Sequence, residues 1–203
     1  MTRARPGEPL EEALLRAERH QLVSLMGEAL PAPTRVALAC DPAALAMRAW
    51  VEAAPPLLAR VVMPNGPVWE DECVELFVSS PGDPASYVEV VVNALGIAYA
   101  AQVYNPAGSR QSWAITRGIV VEGLRASADG DGGIPASFRR WTATIETPWR
   151  ALGGPPSHGE TRAGNVTRIA RGRTTRFEAL SPTLRASPPD FHVPSRFARL
   201  VFP

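Results

Sequence analysis

The sequence predicts an all-β fold, a β-sandwich or barrel of about ten short strands. From Thr34 onward, apolar residues recur in short runs with a period near two, which is the side-chain spacing of a strand. Pro- and Gly-rich turns separate these runs, as at 64–67, 81–84 and 129–133, and short strands at such spacing are typical of sandwiches and barrels. No long helices alternate with the strands, which argues against a doubly wound α/β fold.

The N-terminal residues are the exception to this strand pattern. Apolar side chains within 8–30 recur at rough helical spacing, although 21–25 could equally be an opening strand. Pro31 ends this segment. We therefore divide the chain into a short helical or extended N-terminal extension, 1–30, and an all-β domain, 31–203, which the extension packs on or precedes.

The predicted strands follow one another from this point to the C-terminus, and each is a run of apolar or alternating residues bounded by turn residues. They are 34–40, 45–52, 57–63, 73–79, 86–94, 97–104, 112–122, 140–146, 164–170, 175–180 and 197–202. The connection between 73–79 and 86–94 is short and rich in turn residues. These two strands are therefore predicted to be antiparallel neighbours.

The composition excludes several classes of function. The 21 basic residues are all arginine and are balanced by 20 acidic residues, which gives a net charge of +1. The absence of lysine excludes Schiff-base lysine chemistry and a Walker-type phosphate loop. The near-zero net charge argues against nucleic acid as a partner.

No apolar segment of secretory-signal length follows Met1, and no apolar run is long enough to span a membrane. We therefore expect no membrane partner and a cytoplasmic location by default. An extracellular or periplasmic location stays open for a chain whose leader has been removed. Cys40 and Cys73 match no metal or redox spacing and are expected to be small buried apolar residues.

One face of the predicted 73–79 and 86–94 pair collects polar and aromatic side chains. Alternate residues of each strand face the core, and the residues between them share the opposite face. Trp69 precedes the first of these strands and is expected to lie next to that face. That face contains Glu75, Tyr87, Glu89 and Asn93. Aromatic rings that stack on a sugar, beside carboxylates and amides that bind its hydroxyls, suit a neutral polyhydroxylated ligand. The alternative is a solvated outer face with Trp69 in the core.

A second polar constellation lies between residues 162 and 176, which contain five arginines and no acidic residue. Arg162, Asn165 and Arg168 are the residues that we expect in an edge contacting an anion or a sugar, because guanidinium groups offer several planar hydrogen-bond donors. A solvated strand edge, charged against aggregation, is the alternative.

Five segments resemble, in the right order, the family 9 carbohydrate-binding modules and their DOMON-like relatives. Val68–Val78 is similar to the W-(D/E)-D-x-x-V-E-(L/I)-F signature, and Tyr87–Gly96 to the following Y-x-E-x-x-x-N-x-x-G strand. Trp141–Trp149 resembles the W-x-x-x-(I/V)-x-x-P-W strand and turn, Gly164–Arg168 the x-N-x-x-R strand, and Pro189–Phe197 the terminal F-H-x-P-x-x-F-G segment. The resemblance covers roughly residues 31–203 and implies that this region is a single β-sandwich of two antiparallel sheets, jelly-roll-like. It also implies sugar binding, often as the accessory module of a polysaccharide-degrading enzyme.

The resemblance also implies site residues. Such modules clamp a sugar between two tryptophans, aided by charged and amide side chains, and Trp69, Glu75 and Asn93 match the first tryptophan, the acid and the amide. The chain departs from the pattern at Val91, where an arginine can occur, and at Leu180, where an aromatic residue is expected. These departures leave open whether ligand binding is retained.

Cofactor hypotheses follow from the same resemblance. Family members hold structural calcium, for which Asp71 and Glu72 are the nearest candidate ligands. Some DOMON-like relatives bind haem through Met and His. Met63, at the end of a predicted strand, and His192, in the closing motif, are the residues considered for that role.

We therefore expect a non-catalytic module that binds a mono- or oligosaccharide, with a carbohydrate-active enzyme as its partner. The second aromatic wall would come from Trp113, Tyr104 or Phe177. Two alternatives stay open: a haem-binding electron-transfer module, and a glycan-processing enzyme that uses Glu75 and Glu89.

Overall fold

Fourteen strands and one α-helix follow one another in the computed structural model, which describes residues 1–203. The elements are β1 (Thr2–Arg3), α1 (Leu10–Arg16), β2 (His20–Gln21), β3 (Val23–Ser24), β4 (Arg35–Cys40), β5 (Ala44–Glu52), β6 (Cys73–Ser80), β7 (Asp83–Asn93), β8 (Ala98–Tyr104), β9 (Ala114–Arg117), β10 (Arg125–Gly130), β11 (Arg140–Pro148), β12 (Thr161–Arg171), β13 (Thr175–Ala179) and β14 (Ala198–Val201). Four short 3-10 turns connect them, at Val68–Glu70, Pro135–Ser137, Trp149–Leu152 and Pro194–Arg196.

The strands form two sheets, and the predicted all-β sandwich is confirmed. The first sheet has the order β1-β4-β5-β11-β10, with β2 also paired to β4. The second has the order β3-β13-β12-β6-β7-β8-β9, with β14 also paired to β12. All pairings are antiparallel except the two-residue contact of β1 with β4.

Two differences from the predicted strands have clear physical reasons. The prediction of a strand at 57–63 is wrong: this segment is a loop, and its Arg60 and Val61 N–H groups bond to the buried Asp71 carboxylate instead of a neighbouring strand. The polar strand β10 lies in a segment for which the sequence predicts no strand, and its last two residues fall in the Gly-rich turn at 129–133. It is an edge strand, so its mostly exposed side chains carry no apolar alternation.

The predicted pairing of the strands that became β6 and β7 is confirmed. Glu75 lies opposite Val91, and Phe77 lies opposite Glu89. The inner face of this pair belongs to the main core between the sheets, which includes Val74, Leu76, Val78, Val88, Val90 and Val92 together with Trp141 and Ile145 of the first sheet. Alternation therefore directs Glu75 and Glu89 away from the core, to the outer face of the second sheet.

The outer face of the second sheet is covered as well, and not solvated. A second apolar cluster there includes Cys73, Phe77, Tyr87, Val91, Tyr99, Val103 and Phe191. Loops at 57–69, 105–113 and 187–197 supply the cover, and between them a cleft stays open. Cys73 and Cys40 are both buried and carry free thiols.

The N-terminal 30 residues are built into these layers. The strands β1 and β2 join the first sheet and β3 joins the second. Helix α1 packs through Leu10 and Leu14 on the first sheet's outer face, where β4 and β5 present small alanines. No helix in the structure combines the length and the apolar character needed to cross a lipid bilayer.

A buried ion network joins the two sheets at Arg168. Its guanidinium group lies 2.7 Å from the Glu72 carboxylate and 3.1 Å from that of Glu178, and all three side chains are buried. Trp141 Nε1 also donates to Glu72, and Thr34 Oγ1 donates to Glu178 at 2.7 Å. The hydrogen-bonding capacity of Arg168 is thus used inside the fold, where no external ligand can reach it.

We predict that Arg168→Ala lowers the free energy of unfolding by about 3–5 kcal/mol, because it leaves two buried carboxylates without their cation. Urea denaturation measures this change. Arg173→Ala is the matched control, since Arg173 is exposed on the turn that follows β12, and it should change stability by less than about 0.5 kcal/mol. Equal effects of the two substitutions would contradict the structural role of the network.

Candidate ligand-binding site

A cleft of about 240 Å³ opens on the outer face of the second sheet. Its floor is formed by β6, β7, β8 and β12, and its walls by the three covering loops. The lining includes Trp69, Glu75, Glu89, Tyr99, Arg110, Trp113, Arg117, Arg171, Phe177 and His192. Aromatic rings, carboxyl groups and guanidinium groups therefore meet in one depression.

Two buried carboxyl groups lie at the floor. Glu75 and Glu89 are diagonal neighbours across β6 and β7, a relation that places such residues about 7–8 Å apart. Glu75 accepts a hydrogen bond from Thr167 Oγ1 at 2.8 Å, and Glu89 Oε1 lies 3.7 Å from His192 Nε2. Neither carboxylate forms an ion pair with an arginine, in contrast to Glu72 on the inner face.

Burial controls the protonation of this floor. It raises the pKa of Glu75 to about 7. Burial, and next the nearby Glu75 carboxylate, raises the pKa of Glu89 well above its ordinary value. Burial also lowers the pKa of His192 to about 3, with the positive charge of Arg110 acting in the same direction. Near neutral pH the floor therefore presents a neutral imidazole and carboxyl groups that can both donate and accept hydrogen bonds.

Aromatic rings stand at both ends of the floor. Trp69 packs edge-on against Tyr99 of β8, with 4.8 Å between the ring centroids. Trp113 packs on His192 at 4.7 Å and immediately precedes β9, near the other end of β8. Tyr99 and Val103 mark these two ends and are four residues apart, about 13 Å along a strand. Phe177 contributes a third ring, at 5.8 Å from Phe191.

Asp71 and Asn93 hold the loop that carries Trp69. One Asp71 oxygen accepts hydrogen bonds from the backbone N–H groups of Arg60 and Val61 and from Asn93 Nδ2, at 2.8–3.0 Å. The Asn93 Oδ1 atom accepts hydrogen bonds from the backbone N–H groups of Leu95 and Ile97. Asn93 is thus fully hydrogen-bonded inside the protein and positions Trp69 from behind the cleft.

The opposite wall is fixed by bonds between two loops. Asn105 Nδ2 donates to the His192 carbonyl oxygen at 2.9 Å, and the Tyr87 hydroxyl lies 2.9 Å from His192 Nδ1. Asp190 accepts hydrogen bonds from Arg110 and from the His192 backbone N–H. These contacts set the position of the His192 ring, on which Trp113 rests.

The structure brings some of the site residues expected from the sequence together and separates the others. Trp69, Glu75 and Glu89 line the cleft, while Tyr87 lies beneath it and reaches it only through His192. Arg162 lies elsewhere, bonded to the carbonyl oxygens of Leu152 and Gly154 and to Glu160. Asn165 bonds to both backbone groups of Ser181. Arg162 and Asn165, like Arg168, therefore use their polar atoms within the fold.

Most oxygens of the two carboxylates considered for calcium already accept hydrogen bonds within the protein. N–H donors of the protein face Asp71 Oδ2 and both oxygens of Glu72, and no group of three or more His, Cys, Asp or Glu side chains is arranged to hold a metal ion. Met63 is exposed and does not line the cleft, whereas His192 is buried and bonded to Tyr87. The structure therefore does not pair Met63 with His192.

Several cleft residues were missing from the sequence-based site. Of the three aromatic candidates, Trp113 and Phe177 line the cleft with Trp69, whereas Tyr104 is exposed and does not. Tyr99 could have been found by extending the alternation one strand further, since it lies opposite Val91. Arg110 comes from an irregular loop that no periodicity places. Arg171 belonged to the recognised arginine cluster, but nothing in the sequence distinguished it from its neighbours.

We predict that Glu75→Gln stabilises the protein relative to wild type as the pH rises from about 5 to about 8. Folding raises the pKa of Glu75 from 4.5 to about 7, so between these values the folded state holds a proton that the unfolded state has released. The wild-type free energy of unfolding therefore falls with rising pH, by up to about 1.4 kcal/mol per pH unit from this group.

Urea denaturation of both proteins across that range measures the difference between their free energies of unfolding. Glu89 adds to this difference in the same direction, because loss of the Glu75 carboxylate makes the pKa of Glu89 less raised in the variant. A difference independent of pH would contradict the raised pKa of Glu75.

The fold is shared with solved carbohydrate-binding proteins. A Bacteroides uniformis ATCC 8492 protein for which carbohydrate binding is proposed superposes with a TM-score of 0.72 at 24% identity, covering 92% of this chain and 87% of that one. A family 9 carbohydrate-binding module from Caldicellulosiruptor kristjanssonii superposes with TM-scores of 0.61 in its glucose complex and 0.60 in its cellotriose complex. Both have 14% identity and cover 94% and 93% of this chain, and 86% and 84% of theirs. No family model and no curated protein matches the sequence. The chain therefore has the β-sandwich fold of family 9 carbohydrate-binding modules.

Proposed function

We propose that the protein binds a mono- or short oligosaccharide in the cleft and does not act on it chemically. The observation that carries this proposal is that Trp69 and Trp113 stand at the two ends of a floor made by Glu75 and Glu89. The ligands of the structural neighbours, glucose and cellotriose, support the same ligand class.

The chemistry of the cleft matches that of a sugar. The apolar face of a pyranose ring packs on an indole, and a half-buried tryptophan offers that surface without ordering a flexible side chain. Sugar hydroxyls are both donors and acceptors, and a protonated carboxyl group is complementary to them in both senses. Trp69 and Trp113 therefore supply contact area, while Glu75 and Glu89 supply hydrogen bonds and orientation.

The size of the cleft favours a small ligand. Its volume of about 240 Å³ is below the range of about 300–1,000 Å³ typical of pockets for drug-sized molecules. A second depression of about 300 Å³ shares Arg110 and Pro189 with the cleft and is lined by polar loop residues. We infer that one sugar ring occupies the cleft and that a second ring extends towards this depression. A short glycan that is part of the substrate of an associated carbohydrate-active enzyme fits this arrangement.

We predict that Trp69→Ala and Trp113→Ala each weaken sugar binding at least about tenfold, or about 1.4 kcal/mol, because each removes an aromatic anchor. Isothermal titration calorimetry with glucose and cellotriose, after a glycan-array screen, measures the affinity. Trp50→Ala is the matched control, since Trp50 is a half-buried tryptophan on the first sheet beside Arg19. No binding across the array, or equal losses in all three variants, would contradict the proposal.

A separate measurement tests the proposal that the protein does not act chemically on the sugar. The wild-type protein is expected to release no product from aryl glycosides. Turnover that disappears in Glu75→Gln or Glu89→Gln would instead make these residues the paired carboxylates of a glycan-processing enzyme.

A further inference from the structure

Three guanidinium groups surround the cleft, and only one of them is neutralised. Arg110 donates to Asp190 at 2.8 Å. Arg117 has no carboxylate within ion-pair distance, and its guanidinium carbon lies 5.8 Å from the centroid of the Trp113 ring. Arg171 donates to the Thr175 hydroxyl at 3.3 Å, but its Nε is buried without a hydrogen-bond partner. A buried N–H group without a partner is costly, so an acceptor that reached Arg171 would be favourable there.

The sheet register explains how Arg117 reaches the cleft. Arg117 of β9 lies opposite Ala101 of β8, and Ala101 lies opposite Glu89 of β7. All three side chains point to the outer face, and the small Ala101 leaves room for the arginine to extend over it towards the floor. Arg171 approaches from the opposite edge, at the end of β12.

The floor does not cancel these positive charges. Glu75 and Glu89 form no ion pair with Arg117 or Arg171, and burial raises the pKa of both carboxyl groups. His192 is neutral because burial lowers its pKa. Burial also raises the pKa of Tyr99, to about 12, and that of Tyr87, so neither phenol contributes negative charge. With Arg110 balanced by Asp190, the cleft carries an excess of positive charge near neutral pH.

We propose that the cleft selects an acidic sugar, a hexuronate whose carboxylate is bound by Arg117, with Arg171 as a second cationic contact at the opposite edge. This inference rests on the proposed function and names its ligand class. A planar carboxylate matches the fork of a guanidinium group through two parallel hydrogen bonds. A phosphate group is less suitable, because its three acceptor oxygens need more donors at one point than the single fork of Arg117 offers, and Arg171 lies at the opposite edge.

The test is calorimetric titration at about pH 6 and low salt with glucuronate, glucose and glucose 6-phosphate. Wild type is expected to bind glucuronate at least about tenfold more tightly than glucose and more tightly than glucose 6-phosphate. Raising the pH to about 8 should reduce the preference for glucuronate, because Glu75 then ionises beside the ligand. Trp69→Ala should weaken binding of both glucuronate and glucose.

Substitutions of single arginines test which side chains cause the preference for glucuronate over glucose. Arg117→Gln should lower the ratio of glucuronate to glucose affinity about tenfold, and Arg117→Lys should lower it less, since it keeps the charge but loses the fork. Arg171→Gln should lower the ratio too. Arg173→Gln is the control, because Arg173 is exposed and lies outside the cleft. Circular dichroism and thermal melting show that each variant is folded before it is titrated.

The outcomes separate this inference from the proposed function. Glucose binding that depends on Trp69 without a preference for glucuronate overturns the acidic-sugar inference alone. Tighter binding of glucose 6-phosphate, or an equal loss of preference in Arg173→Gln, also overturns it. Failure of every sugar to bind overturns the proposed function itself.

Discussion

Burial of the second sheet on both faces is the constraint on which the rest of the structure depends. Antiparallel sheets commonly leave one face in water, but nearly every residue of β6 and the second half of β7 is buried here. The inner face packs on the first sheet. The outer face is closed by three loops, and the space that those loops leave open is the cleft.

Because both faces are buried, acidic side chains on each face must be either paired with a cation or protonated. On the inner face, Glu72 and Glu178 share the cation of Arg168, so charge is balanced within the core. On the outer face, Glu75 and Glu89 lack a cationic partner, and burial raises their pKa values instead. Carboxyl groups that keep their proton can both donate and accept hydrogen bonds, and the cleft opens above them.

The likeness to solved carbohydrate-binding proteins at 14–24% identity is explained by the same alternation. The sandwich needs apolar residues at every second position of its strands and accepts many identities there. The cleft depends on loops and on a few polar residues, which similarity of fold does not fix. Two residues show this: Trp113 occupies a wall of the cleft although Leu180 stands where the family pattern has an aromatic residue, and Arg117 enters from an edge strand.

Periodicity and turn residues in the sequence were sufficient to determine an all-β fold of the sandwich or barrel type, the pairing of β6 with β7, and the placement of Glu75 and Glu89 on one face, because strand alternation is a local property. The resemblance in five motifs narrowed this fold to a two-sheet sandwich. The sequence also singled out Trp69. It could not separate Arg168 or Arg162, whose partners lie on other elements, from Arg117 and Arg171 at the cleft. Nor could it show that loops far apart in the chain bring Trp113 and His192 over the same floor. Only the tertiary structure decided these points, because burial, ion pairing and pKa depend on neighbours that are distant in sequence.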